Sequence, residues 1–230
     1  LILPCVALGT ATFIMQASES VISVCFNASL LKYGGDIAVG AMTILTSVMQ
    51  FAMLPLQGIA QGSQPITSYN YGARNSARVR QTFRLLVKVC LCYSVALWAI
   101  IQLFPGIFAQ IFTPNADLVA FTVPALRVYC AALFLFGIQI ACQMTFVSIG
   151  YAVCSIIVAV LRKFILLLPL IYLLPHLLAD QTMAVYTAEP VADAIAVTCT
   201  AILFGVQFHK AMQKLEQEAE TQNSPASDAR

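Results

Sequence analysis

Six long apolar stretches constrain the fold of this chain more than any other feature of its sequence. A helix that crosses a bilayer needs about 20 mostly apolar residues, because each residue rises about 1.5 Å across a hydrocarbon core of about 30 Å. The stretches cover residues 4–31, 37–60, 85–104, 119–146, 155–178 and 183–208. We predict a tight turn at residues 33–36 between the first two stretches, and a longer polar link at residues 76–82. We therefore predict an all-α, polytopic membrane protein whose residues 1–209 form a bundle of six transmembrane helices.

The composition agrees with a lipid environment. Only 10% of the 230 residues are charged, and 60% are hydrophobic. A soluble domain usually carries about 25% charged residues, so this chain has too little polar surface to cover a water-facing globule. Residues 210–230 are polar, and we predict that they continue the last helix briefly and then form a disordered cytoplasmic tail.

The placement of basic residues predicts the orientation of the chain. Basic residues concentrate at positions 74–88, between the second and third stretches, and again at Lys210 and Lys214 after the sixth. The links after the third and fifth stretches hold Asp117 and Asp180 without Lys or Arg. Because positive residues favour the cytoplasmic side, we expect a plasma (inner) membrane protein with both termini in the cytoplasm.

Ionisable residues inside the apolar stretches are the main candidates for function. Each costs about 2.5–3.5 kcal/mol on insertion scales, so it needs a partner, a wet cavity or a function. Glu19 lies in the middle of the first stretch, and Asp193 follows Glu189 by one helical turn in the sixth. We predict that Glu19 and Asp193 bind a coupling ion, whereas the alternative for Glu19 is a neutral carboxyl in a structural seam. Arg162 and Lys163 must either snorkel or line a polar cavity.

Uncharged polar residues extend this pattern along the predicted helices. Several recur at three- and four-residue spacing, which places them on one helical face. We predict that the substrate cavity is lined by Gln16, Ser23, Asn27, Gln50, Gln139 and Gln143. Interhelical hydrogen bonding is the more common role for such residues, and it stays open as the alternative.

Several function classes find no support in the sequence. It contains no P-loop and no HExxH motif, and its eight cysteines show no metal-ligating spacing. We therefore expect neither an enzyme nor a bound metal or cofactor, apart from a proton or sodium ion. Basic residues are not interleaved with stacking aromatics, so nucleic acid is not an expected partner.

Segment 58–73, GIAQGSQPITSYNYGA, resembles a signature of the multidrug and toxic-compound extrusion (MATE) family. A second resemblance lies in the last stretch, at residues 189–193, EPVAD. The residues that carry these family motifs are Gln64, Pro65, Asn70, Tyr71, Gly72, Glu189 and Pro190.

The resemblance implies a fold of twelve helices in two six-helix bundles, of which this chain is the second. It therefore implies a further partner, an N-terminal six-helix half absent from this chain. It also implies alternating access, with export of cationic small molecules driven by inward movement of protons or sodium. Glu19 matches a helix-seven acid that takes part in cation coupling in some family members.

Two alternatives remain at this stage. A flippase for lipid-linked or amphipathic substrates needs a cationic cavity, and the basic residues lie mainly at the predicted cytoplasmic ends. A truncated, non-transporting membrane fragment is the other alternative, suggested by a first residue, Leu1, that is not Met.

Overall fold

The computed structural model describes the backbone of residues 2–151, 157 and 159–223, and the side chains of residues 17, 19–151, 157 and 159–218. A 3₁₀ turn, Leu133–Leu135, and a π-helical segment, Leu161–Leu167, separate some of its helices. The helices are α1 (Ile2–Gly72), α2 (Ser76–Leu103), α3 (Pro105–Phe112), α4 (Ala116–Tyr129), α5 (Phe136–Ser148), α6 (Leu168–Leu177) and α7 (Gln181–Asn223). The described residues contain no strand, so the predicted all-α fold is confirmed.

Helix α1 folds back on itself at Gly35. The backbone there has φ 65° and ψ −162°, a conformation that glycine adopts readily because it lacks Cβ. Glu19 and Thr46 are separated by about 40 Å of straight helix at about 1.5 Å per residue, yet both line one cavity. The two arms of α1, residues 2–34 and 36–72, therefore lie side by side, as the predicted turn at residues 33–36 requires.

Asparagine and aspartate side chains begin three of the helices. Asn75 Oδ1 accepts a hydrogen bond from the Arg78 amide at 3.0 Å, and Asn115 caps α4 in the same way. Asp180 Oδ1 accepts from the amides of Thr182 and Met183, at 3.1 Å each. The expected polar link at residues 76–82 is wrong, because the Asn75 cap starts α2 at Ser76.

Helices α4 and α5 form one bent pair, with an angle of 41° between them. A helix break inside a membrane exposes backbone carbonyls that need hydrogen-bond donors. Side chains of α2 supply two such donors. Gln102 Nε2 donates to the Arg127 carbonyl at 2.9 Å, and Ser94 Oγ donates to the Phe134 carbonyl at 3.0 Å.

The helices pack through small residues and present large apolar residues outward. Gly137 of α5 lies so close to α2 that a Cβ there would stand 2.6 Å from the Cys90 carbonyl oxygen. Close approach of this kind is typical of helices in membranes. On the outer surface, Phe51 and Ile202 are 72% and 65% exposed, as expected for side chains that face lipid.

The described helices are those of a multi-pass membrane protein. Residues Glu19–Gly72, Ser76–Leu103 and Gln181–Glu218 are each long and apolar enough to cross a bilayer, and the α4–α5 pair adds a fourth candidate. The predicted number of six spans stays a prediction.

Helix α7 continues beyond the predicted end of the bundle at residue 209. Ala211, Met212 and Leu215 of this extension are buried in a cluster with Val79 and Ile149. The sequence predicted that the last helix continues briefly past this boundary, and the extension is helical as far as Asn223. The domain boundary at 209 and the cytoplasmic placement of the tail stay predictions, and residues 224–230 lie outside the described residues.

Candidate functional site

A cavity of about 230 Å³ lies inside the helix bundle. Side chains from both arms of α1, from α4, from the π-helical segment and from α7 meet there. The lining residues are Glu19, Ile22, Ser23, Phe26, Met42, Thr46, Tyr129, Arg162, Lys163, Leu167 and Glu189. An internal cavity with this many ionisable groups is the natural candidate site in a membrane protein.

Arg162 bridges two carboxylates of α7. Its Nε donates to Asp193 Oδ1 at 2.5 Å, and its Nη2 donates to Glu189 Oε1 at 3.0 Å. The i, i+4 spacing places both carboxylates on one face of α7, within reach of a single guanidinium fork. The guanidinium also lies over the Phe136 ring, 5.2 Å from its centroid.

The Asp193 carboxylate is the most buried member of this group. Its side chain is 2% exposed, compared with 13% for Glu189 and 22% for Arg162. Its second oxygen, Oδ2, is buried and has no hydrogen-bond partner among the described residues. A buried carboxylate oxygen without a donor is costly, so this atom marks a place where a proton or cation would be stabilised.

Lys163 forms an ion pair with Glu19 on the more open side of the cavity. The Lys163 side chain is 18% exposed, and that of Glu19 is 55% exposed. Arg162 and Lys163 are consecutive, yet both line the cavity, and both lie in the π-helical segment Leu161–Leu167. Such segments are frequent at functional sites. Of the two alternatives stated for these residues, the structure supports cavity lining.

The formal charges of the cavity residues and of Asp193, which contacts Arg162 but does not line the cavity, sum to one negative charge. Glu19, Glu189 and Asp193 contribute three carboxylates, against which Arg162 and Lys163 contribute two positive charges. Uncompensated charge in a membrane interior is unfavourable. One monovalent cation, or one proton, would restore neutrality.

The residues predicted to line the substrate cavity lie at different places in the structure. Ser23 does line the ionisable cavity. Asn27 and Gln50 are exposed and lie outside its lining. Gln139 is buried, and its Oε1 has no hydrogen-bond partner among the described residues. Gln143 is half-buried. Neither side chain lines this cavity. The side chain of Gln16 lies outside the described residues, so its predicted role stays a prediction, as do the others.

The family-motif residues occupy two places. In α1, Asn70 is buried and its Nδ2 donates to the Ile66 carbonyl at 2.8 Å, while Tyr71 packs against the cluster that holds the α7 extension. Of the other motif residues there, Gln64 is half-buried, and Pro65 and Gly72 are exposed. In α7, Pro190 is buried next to Glu189.

Sequence reasoning did not identify Tyr129, Phe136 or Thr46 as parts of the site. Tyr129 lines the cavity from the last turn of α4, and Phe136 supports the guanidinium of Arg162. None of the three carries a charge, so none is distinguished from its neighbours in an apolar stretch. The signal that could have found Tyr129 and Phe136 is their position on either side of the helix break at residues 130–132.

Comparison with known proteins decides the family. The sequence profile described as MatE matches residues 11–173, which is more than half of the chain. The chain belongs to the MatE family. The predicted resemblance to MATE proteins is thereby confirmed.

The relatives of this MatE chain are longer than the chain itself. The multidrug export protein MepA of Staphylococcus haemolyticus (strain JCSC1435) is 25% identical over 132 residues, which are 57% of this chain and 28% of MepA. A crystal structure of MATE in the bent conformation matches with a TM-score of 0.81 and 19% identity, over 88% of this chain and 44% of that one. The chain thus spans less than half the length of these relatives.

Structures in two different states match equally well. An inward-facing and an outward-facing conformation of a multidrug resistance MATE family transporter of the MOP superfamily each give a TM-score of 0.79 at 20% identity. They cover 88% and 89% of this chain, and 46% and 45% of the respective structures. The fold of this chain is therefore that of one portion of these proteins.

Proposed function

We propose that this chain is the C-terminal half of a secondary antiporter that exports cationic or amphipathic small molecules in exchange for protons or sodium. The observation that carries the proposal is the ionisable cavity. Glu19, Glu189, Arg162 and Lys163 line it, and Asp193 contacts Arg162 from behind the lining. A cavity with one excess negative charge favours a cation and disfavours an anion.

Exchange follows from competition for that single negative charge. When a proton or sodium ion neutralises a carboxylate, the cavity loses its attraction for a cationic substrate, and the substrate leaves. When the ion leaves, the attraction returns. This competition drives transport only if the two access states differ in their affinity for ion and substrate.

Alternating access in this proposal is a rigid-body movement of the whole lobe. Equal similarity to inward-facing and outward-facing relatives supports it, because the fold of the lobe is then common to both states. The other lobe supplies the opposite wall of the substrate path, as in transporters built from repeated bundles. Glu19, the most exposed acid of the cavity, is the carboxylate that a substrate reaches first.

The test uses Glu19→Gln in cells that express the intact gene encoding this chain. We expect proton-driven efflux of a fluorescent organic cation to fall at least about tenfold, since one lost charge–charge contact of about 1.4 kcal/mol has that effect. Asp117→Asn is the matched control, because Asp117 is an exposed acid at the start of α4, outside the cavity. Equal efflux by Glu19→Gln and wild type would remove Glu19 from the coupling.

A flippase of amphipathic substrates is a second candidate, favoured by the presence of Arg162 and Lys163 in the cavity wall. Lys163→Gln separates the two functions. An antiporter of cations gains negative charge in its cavity and keeps its binding of the fluorescent cation. A flippase loses a contact to the phosphate of its substrate, so transfer of a labelled anionic lipid between leaflets decreases.

A further inference from the structure

A second, apolar cavity lies on another side of helices α4 and α7. It is a groove of about 670 Å³ between the α4–α5 break and α7. Its walls include Val128, Ala131, Leu135, Pro190, Val191 and Ile195. Arg127 is the only charged residue among the described lining residues.

Arg127 lacks an anionic partner in the described part of the chain. It lies in the last turn of α4, about 16 Å along the helix from Ala116 at about 1.5 Å per residue. No carboxylate among the described residues forms an ion pair with it, although its backbone carbonyl accepts from Gln102. Its side chain is exposed at the edge of the groove, and an anion placed there would compensate a charge that is costly in an apolar span.

We propose that this groove is a phospholipid-binding site. The acyl chain lies along the apolar walls between the α4–α5 break and α7, and the guanidinium of Arg127 donates to the phosphate. The ligand class follows from the combination of an apolar trough and one cation at its edge, which matches an apolar tail joined to an anionic head. A guanidinium fork fits two phosphate oxygens at once.

The proposed lipid touches the reverse side of the helices that form the ionisable cavity. On α4, Tyr129 lines the ionisable cavity, whereas Val128 lines the groove. On α7, Glu189 lines the ionisable cavity, whereas Pro190 lines the groove. At these positions the two cavities are therefore separated by the thickness of one helix, α4 or α7. The proposal concerns binding alone and does not depend on the transport function.

The test is native mass spectrometry of the detergent-purified chain, titrated with phosphatidylglycerol. We expect wild type to retain one lipid per chain, and Arg127→Gln to bind it at least about tenfold more weakly, because hydrogen bonds to charged groups contribute about 1.5–3 kcal/mol. Arg127→Lys keeps the charge and should keep most of the binding. Arg84→Gln, which removes an exposed arginine from α2, is the matched control and should behave as wild type.

Three further measurements make the proposal easy to overturn. Ala131→Phe fills the groove and leaves Arg127 in place, so it should abolish lipid retention even if Arg127→Gln fails to fold. Diacylglycerol, which has the tails without the phosphate, and inorganic phosphate, which has no tails, should each bind poorly. Equal lipid retention in wild type and Ala131→Phe, tight binding of inorganic phosphate alone, or an Arg127-dependent dimer in place of the lipid adduct would each refute the site.

Discussion

Helix α7 forms ion pairs with arginines both at the cavity and in its C-terminal extension, and one pair from each place shows that burial differs far more than distance. Arg162 contacts Glu189 at 3.0 Å, and Arg80 contacts Glu216 at 2.9 Å. The first pair has side chains 22% and 13% exposed, whereas the second has 36% and 45%. The distance between the paired atoms therefore does not distinguish a candidate functional cluster from a contact nearer the surface. The exposure of the paired side chains to water does distinguish them.

The difference in medium changes what each pair does for the protein. Near water, both charges stay solvated, and the pair contributes little to folding. Inside the bundle, desolvation makes each unpaired charge unfavourable by several kcal/mol, so the members of the cluster depend on one another. The buried cluster is thus sensitive to any change of charge, which is the property that an ion-coupled cavity needs.

Arg162→Gln should produce the largest effect in the chain. It removes the guanidinium that bridges Glu189 and Asp193, and breaking a buried pair destabilises by about 3–5 kcal/mol. The free energy of unfolding, measured in lipid nanodiscs by denaturant titration, should decrease by that amount.

A double variant separates charge from packing in this first prediction. Arg162→Gln combined with Asp193→Asn removes one charge of each sign, and it should recover at least half of the lost stability. Arg84→Gln, at an exposed site of α2, should change stability little. Equal losses for Arg162→Gln and Arg84→Gln would show that burial does not control the strength of these arginine contacts.

Gly137→Ala tests whether an uncharged disruption in the same interior has a similar effect. The new Cβ would stand 2.6 Å from the Cys90 carbonyl oxygen and 2.6 Å from Ser94 Oγ. Overpacking of this kind destabilises by about 1–3 kcal/mol, and the loss should not vary with salt. Gly62→Ala is the matched control, because nothing lies within 4 Å of its Cβ position. A neutral Gly137→Ala would mean that α2 and α5 separate easily.

Much of the fold could be predicted from the sequence, because the bilayer fixes helix length. The apolar stretches and the glycine turn at residues 33–36 gave the fold-back of α1 correctly. Prediction failed where a local hydrogen bond decides a boundary. Asn75 starts α2 within a stretch that is polar enough to look like a link. The burial of the α7 extension was not predicted, because its apolar contacts, such as Met212 with Val79, form only in the folded bundle.

The candidate site was predictable from the sequence mainly in its charged members. Among the uncharged residues that were predicted to line a cavity and whose side chains are described, Ser23 is the one that lines this cavity. Glu19 and Asp193 stood out because carboxylates inside apolar stretches are rare. Their partners lie on a different helix, so the assignment of Lys163 to Glu19 and of Arg162 to Asp193 required tertiary structure. Gln139 shares a helical face with Gln143, but packing sets the rotation of that helix, and the face does not line the cavity.

Arg80→Gln should have the smallest effect, which makes it the sharpest test of the comparison. Both members of the Arg80–Glu216 pair are partly exposed, at 36% and 45%, so its loss should cost about 0.2–1 kcal/mol. That small loss should shrink further at 1 M salt, where the Debye length is about 3 Å. A double-mutant cycle with Glu216→Gln measures the pair directly by denaturant titration of the free energy of unfolding. A coupling energy as large as that between Arg162 and Asp193 would mean that the α7 extension is held in a dry interface, and exposure would then no longer explain why one arginine cluster is sensitive and the other is not.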